Sequence, residues 1–384
     1  MLRYWTAGES HGPALIALVD GFPAGLSVDT DAINEELRRR QGGHGRGGRQ
    51  RIETDSVTVL SGLWRGVTLG SPIALEVLNR DAKLERLEDV DRPRPGHADL
   101  AGSLKHLGGV RAVLERASAR ETAARVAAGA LARQLLARFG VEVAGWVREL
   151  GGMDIGSPEA VLKSCSPSEL RSIRDSSAVY SLMPDHDNDV TAFIDKVGKE
   201  GDTLGGVVET QVFGLPIGLG THSQWDRKLD GKIAQAVMAV QAIKGVEIGM
   251  GFEAARRRGS EVHDAIHYEA EKRQTSTLGF SRPTNNAGGL EAGMTNGQPL
   301  VVKAAMKPIS TLRKPLASVN LRTKESEDAA YERSDVCAVS ACSVIVENVV
   351  AFEVASAFVD KLGGDSIEEM QSRLDLYHDL ARKK

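Results

Sequence analysis

The chain has little sulfur and few aromatic rings. Three cysteines among 384 residues, Cys165, Cys337 and Cys342, are too few and odd in number for a disulfide framework, which points to a reducing, intracellular compartment. Aromatics make up 4% of the residues, which argues against nucleic-acid binding by base stacking. A formal net charge of -4 gives no whole-molecule attraction to nucleic acid or acidic membranes. Residues 1–12 contain no apolar stretch of signal-peptide length. The one long apolar run, 336–359, is interrupted by Glu347, Asn348 and Glu353 and so reads as a buried helix instead of a membrane span. These absences leave a soluble, cytoplasmic protein without nucleic-acid or membrane partners. Glycine is the residue in excess: there are 41, well above a background of about 7%, and they call for tight turns or loops that hug a ligand.

Apolar patterning predicts strands at 15–19, 56–61 and 73–78, and an alternating, half-buried strand at 206–213. A helix is predicted from Asp29 or Thr30 to Arg40, stopping before Gly42, with Glu35–Arg39 and Glu36–Arg40 spaced for support. Two more helices are expected at 113–139 and at 226–243, the second with Gly245 as its stop. Residues 151–188 read as a polar peripheral insertion and 361–384 as a C-terminal tail. Strands and helices come in clusters without steady βαβ alternation, so residues 1–384 read as one large α+β domain rather than a doubly wound sheet.

The chemistry-bearing residues sit in glycine-containing turns. His11 lies in Gly8-Glu9-Ser10-His11-Gly12 and His97 in Arg94-Pro95-Gly96-His97-Ala98-Asp99. An imidazole held in such a turn can exchange a proton near neutral pH. Arg38, Arg39, Arg40, Arg46, Arg49 and Arg51 stand among glycines, a setting suited to phosphate and carboxylate oxygens, or else a solvated basic loop. Arg116 and Arg120, one helical turn apart with Ser118 between them, form either an intrahelical ion-pair face or an anion platform. Arg333-Ser334-Asp335 precedes the apolar helix, where an N-cap is the plain alternative. Lys307-Pro308-Ile309-Ser310-Thr311 is a short basic and hydroxyl turn that suits a phosphate, or else is simply a loop. Gly43, Gly45 and Gly48 spell G-x-G-x-x-G but follow a helix, so no dinucleotide fold is inferred. His263 and His267 lie among charged residues without an evident third ligand, so no metal site is inferred.

Taken together and in order, these segments resemble the chorismate synthase family. Gly8–Gly12 with Asp20-Gly21-Phe22-Pro23, Arg94–Asp99, Ser118-Ala119-Arg120-Glu121-Thr122, Lys244–Glu247, Asn285–Gly289, Lys307-Pro308 and Arg333 through Asn348 carry the likeness, over about residues 1 to 360. The resemblance implies helices sandwiched between antiparallel sheets, a homotetramer, reduced FMN as cofactor and 5-enolpyruvylshikimate 3-phosphate as substrate. Phosphate leaves C3 and a proton leaves C6, giving chorismate without net redox change. It implies His11 as acid at the leaving phosphate, His97 protonating or stabilising the reduced flavin, and Asp335 helping to remove the proton from flavin N5. Arg40, Arg46, Arg49, Arg120 and Arg333 would hold the substrate's anionic groups. Arg116, Ala117, Ser118, Gln241, Ala242, Ala292, Lys307, Pro308, Ile309, Ser310, Thr311 and Arg333 would hold the flavin. Ala292 replaces a usual glycine, and Ile309 a usual threonine. No added reductase segment is evident, so reduced FMN is expected from outside, with NADPH at most an indirect reductant. Competing readings are another phosphate-handling lyase, an RNA binder using the Arg38–Arg51 loop, and an inactive flavin-binding protein.

Overall fold

The computed structural model describes residues 1–47, 54–156, 158–331 and 335–384. Two antiparallel sheets enclose the central helices. In the first, β1 (Arg3–Ala7), β2 (Ala14–Asp20), β3 (Val57–Val59) and β4 (Ile73–Leu78) run in the order β1-β2-β4-β3. In the second, β5 (Glu142–Leu150), β6 (Met153–Asp154), β7 (Gly206–Phe213), β8 (Ile243–Ile248) and β9 (Leu300–Met306) run β8-β9-β7-β5-β6. The period of two puts Leu15, Ala17 and Val19 of β2, with Ile73, Leu75 and Val77 of β4, on one buried face.

The helices include α1 (Thr30–Gln41), α2 (Asp99–His106), α3 (Val110–Ala117), α4 (Thr122–Arg138) and α5 (Pro167–Ser176). Further along lie α6 (Leu229–Met238), α7 (Val339–Leu362) and α8 (Ile367–Ala381). α4 lies against β2 and β4, α7 lies against β5 and β7, and the two helices pack on each other, which is the sandwich of helices between sheets. Small residues make this possible. Gly129 of α4 sits against the backbone of Asn348, where a Cβ would meet Asn348 O at 2.3 Å. α7 is long and apolar enough to cross a membrane, yet 94% of its most apolar window is buried within the fold. It is the core helix that the interrupted apolar run predicted.

Two predicted helices turn out to be broken. The stretch expected as 113–139 ends at Ala117, because Ser118 is extended (φ -60°, ψ 140°) and its hydroxyl accepts from the Arg120 N–H, opening a new turn. The stretch expected as 226–243 ends at Met238, with Ala242 left-handed (φ 69°) before β8. Gly245, expected as a helix stop, lies inside β8 beside a register shift. In α1 the ion pairs are three apart, Arg38–Glu35 and Arg39–Glu36, which leaves Arg40 free to turn elsewhere. Within 151–188, α5 sends Arg174 into the core, 2% exposed, and within 361–384, α8 buries Ile367, Met370 and Leu374.

Candidate active site

The broken helices, the two histidine turns and the start of α7 line one cavity of about 410 Å³. Its lining includes His11, Arg40, Arg46, His97, Ala117, Ser118, Arg120, Gln241, Ala242, Lys307 through Thr311, and Asp335.

The cations form a connected set. Arg40 and Arg120 both reach Asp55 Oδ2, at 3.3 and 2.6 Å. Arg40 also donates to Thr122 Oγ1 (2.9 Å) and Ala119 O (3.1 Å), both supplied by the break before α4. Arg46 pairs with Asp335 at 2.8 Å, and the other Asp335 oxygen accepts the Gly47 N–H at 2.6 Å. The Arg46 Nε is buried without a hydrogen-bond partner among the described residues. Burial, together with the positive charge of Arg120 and Arg46, pushes Arg40 down to about 10 in spite of Asp55. A guanidinium in a protein does not give up its proton, so this depression reflects positive charge crowded into a buried cluster, a setting that suits an anion. Lys307 is also pushed down, by burial and then by Lys244, and its ammonium donates to Gly96 O, tying the end of β9 to the His97 turn.

Each histidine is held at Nδ1 by a buried carboxylate. His11 Nδ1 lies 3.0 Å from both oxygens of Glu115, and the His11 N–H donates to Oε2 at 2.9 Å. On the other side His11 Nε2 is 3.8 Å from Asp81. Burial works to raise the Glu115 carboxyl, but the His11 hydrogen bonds and charge outweigh it and hold it below its ordinary value. His97 Nδ1 hydrogen-bonds Asp99 Oδ1, while Arg94 Nε donates to Asp99 Oδ2 at 2.8 Å. Here too burial is outweighed, by hydrogen bonds from His97 and Arg94, and Asp99 is held well below the usual carboxylate range. A carboxylate on Nδ1 fixes the orientation of the ring and leaves the far nitrogen available for proton transfer. Gly8 makes the His11 turn possible: its φ is +103°, and a Cβ there would lie 2.2 Å from Ala14 O.

One wall of the cavity is apolar, with Leu114, Val240, Met306 and Ile345. Gln241 donates to Glu121 at 3.1 Å, and its Oε1 is buried with no hydrogen-bond partner among the described residues. An apolar wall, an unused amide acceptor and the lysine and hydroxyls of Lys307–Thr311 fit a planar, N–H-bearing ring with a phosphate tail.

Two expected flavin residues stand outside the cavity. Arg116 is held by the carbonyls of Thr6 and Gly8, both at 2.9 Å, because the break at Ser118 separates it from Arg120. Ala292 occupies a hairpin turn at φ 51°, the left-handed conformation that explains a glycine preference there by backbone need. The Asn285–Gly289 segment also lies outside: a Cβ on Gly288 would meet Gly249 N at 2.3 Å, so its glycines serve close backbone packing. Arg49, Arg51 and Arg333 fall outside the described residues. Asp335 caps no helix, since α7 starts after Ala338 without a side-chain cap. No cluster of three metal-binding side chains occurs among the described residues, His263 and His267 included. Sequence reasoning missed Asp55, Asn79, Asp81 and Glu115, all long-range partners; a hydrophilic Asn79-Arg80-Asp81 directly after a strand was the available signal.

A family model described as chorismate synthase matches residues 2–359. The chorismate synthase of Geobacter metallireducens is 53% identical over 396 aligned positions, covering 100% of both chains. That of Desulforudis audaxviator is 52% identical, covering 96% of this chain and 95% of its own. A crystal structure of a chorismate synthase aligns with a TM-score of 0.80 at 40% identity, over 100% of this chain and 99% of that one.

Proposed function

The chain belongs to the chorismate synthase family and has that family's lyase activity, and from this premise we propose how its cavity performs the reaction. The substrate is 5-enolpyruvylshikimate 3-phosphate, whose phosphate and carboxylates answer the charge demand of Arg40, Arg46 and Arg120, with Arg49 and Arg333 as further cations. Reduced FMN, when bound against the apolar wall and Lys307–Thr311, supplies transient electron density that eases departure of an anion without net redox change. His11, steadied by Glu115, gives its proton to the departing phosphate as the C3–O bond breaks. His97, steadied by Asp99, keeps a proton on the cofactor side of the cavity. The C6–H bond breaks in the same turnover, and its proton is finally held by the Asp335 carboxylate, which Arg46 and the Gly47 N–H keep in place. Positioned proton transfer of this kind contributes roughly 10²–10⁴ in rate.

The observation that carries this reading is the convergence of two carboxylate-held imidazoles on one cavity with an excess of buried guanidinium charge. The test is anaerobic: purified protein, chemically reduced FMN and substrate, with chorismate absorbance and free phosphate followed together. Equal appearance of both, dependent on reduced FMN, is expected; folded, FMN-binding protein that releases neither would overturn it. Replacing reduced FMN by oxidised FMN with NADPH is expected to give no turnover, since external reduction is part of the reading. A homotetramer is proposed as well. The outer face of the first sheet, where Trp5 and Leu18 pair across β1 and β2 while 49% and 38% exposed, supports it. Three free cysteines, two of them buried, suit a cytoplasmic setting.

A further inference from the structure

Asn79 follows β4 and is 7% exposed. Its side chain joins two parts of the cavity that the sequence keeps far apart. The Nδ2 donates to Glu9 O at 3.0 Å and to Gly12 O at 2.8 Å, the carbonyls on either side of the His11 turn. The Oδ1 accepts from Arg120 Nε at 2.9 Å. Its backbone N–H donates to Pro13 O at 3.0 Å, which seats it on the strand leaving the same turn. The chain of contacts continues through Arg120 to Asp55 and from Asp55 to Arg40. Both carbonyls meet the NH₂ end and the guanidinium meets the oxygen, so the amide orientation follows from its neighbours. A carboxylate would lose both donors, and an apolar side chain of the same size would make none of these bonds.

We propose that Asn79 is a positioning residue that fixes His11 in register with Arg120, so that the acid and the anion-binding cation meet the same phosphate. Asn79 does not line the cavity; it acts through the two groups that do. The inference rests on the reading of His11 as the acid at the leaving phosphate.

The experiment is a double-mutant cycle of Asn79→Ala with His11→Asn, read as single-turnover chorismate formation with reduced FMN, alongside the substrate KM and thermal melting. Misplacing a reacting group by about an ångström can cost up to 10²-fold. Asn79→Ala is therefore expected to lower the rate roughly ten- to a hundredfold with a smaller change in KM, because Arg40, Arg46 and Asp55 remain. In the His11→Asn background the same change should cost only about threefold or less, since misplacing an absent acid has no effect. Asn79→Asp should instead raise KM, because a second carboxylate would draw Arg120 away from the substrate. Equal losses in both backgrounds, or a wild-type rate in Asn79→Ala, would overturn the inference. If Asn79→Ala does not fold, the same cycle with Asn79→Ser, which keeps one donor, decides it on the same criteria. A wild-type rate in His11→Asn would remove the acid role itself, whereas an impaired His11→Asn beside an unimpaired Asn79→Ala removes this inference alone.

Discussion

His97 shows how much one contact decides at the scale of a residue. A histidine in a Pro-Gly turn could serve many purposes, but Asp99 holds its Nδ1, and Arg94 holds Asp99 in turn. Asp99→Asn keeps the shape and removes the negative charge hydrogen-bonded to the ring. Asparagine also offers its oxygen or its NH₂ according to what Arg94 demands, so the ring loses its fixed orientation. The rate of chorismate formation with saturating substrate and reduced FMN is expected to fall about 10²-fold or more, within the range for a displaced acid–base group. A rate within a few-fold of wild type would mean that His97 does no proton work. The motif Arg94–Asp99 was visible in the sequence, because both partners are neighbours in the chain. Glu115 was not singled out as the partner of His11, because the two stand 104 positions apart.

At the scale of elements, the helices carry the burial and their interruptions carry the chemistry. Ser118 breaks one predicted helix, and Ala239 through Ala242 end another; Arg120 and Gln241 reach the cavity from these breaks. Alanine- and leucine-rich composition reads as continuous helix, since local propensity does not register a tertiary reason to stop. The core helix α7 holds charges that its environment must answer. Glu347 is fully buried and meets Arg39 at 3.0 Å, Arg133 at 3.2 Å and Arg174 at 3.4 Å. Glu353, six residues on, is less well answered: burial pushes it up from 4.5 to about 7, with Lys232 opposing and Asp360 assisting. The Tyr4 ring lies on the neighbouring strand and is pushed up to about 12, mainly by its own burial. A carboxyl whose folded value is raised favours the folded state below its unfolded value and loses that advantage as pH rises through the folded one. Stability should therefore decline between about pH 4.5 and 7, by roughly 3 kcal/mol from this group. Glu353→Gln should remove that decline, matching wild type near pH 5 and exceeding it near pH 8 in denaturant melts. Parallel pH dependence in the two proteins would show that Glu353 is solvated in solution.

The whole molecule sets an acidic exterior against a cationic cavity. The formal charge is -4, yet Arg40, Arg46, Arg120 and Lys307 line the cavity against few carboxylates. A low-dielectric cleft lined by one sign of charge draws in ligands of the other, and salt screens the attraction over about 8–10 Å. The KM for the phosphorylated substrate should rise as potassium chloride is raised from about 50 to 500 mM, the span over which that screening length shortens, with kcat changing much less. A salt-independent KM would mean that the arginines are neutralised by partners in the protein and leave the substrate little charge to meet. The proposed homotetramer belongs to this scale too, with the exposed Trp5–Leu18 face as its candidate contact.

The sequence by itself determined the α+β class, the buried nature of the helix over 336–359, and the motif residues His11, Arg40, Arg46, His97, Arg120, Gln241, Lys307 and Asp335 that line the cavity. The class, the helix and the histidine turns are legible because period, turn chemistry and local spacing act over a few residues, whereas Gln241 was singled out only through the family resemblance. Only the tertiary structure decided which arginines line the cavity and which brace the core. Arg39 and Arg40 are adjacent, yet one turns to Glu347 and the other to Asp55. It also decided that Arg116 is spent on the carbonyls of the first strand and its turn, and that Asn79 ties the His11 turn to Arg120. The reason is physical: a buried charge or amide must find its partner wherever the fold brings one, and partners 15 to 308 positions apart leave no periodic trace in the chain.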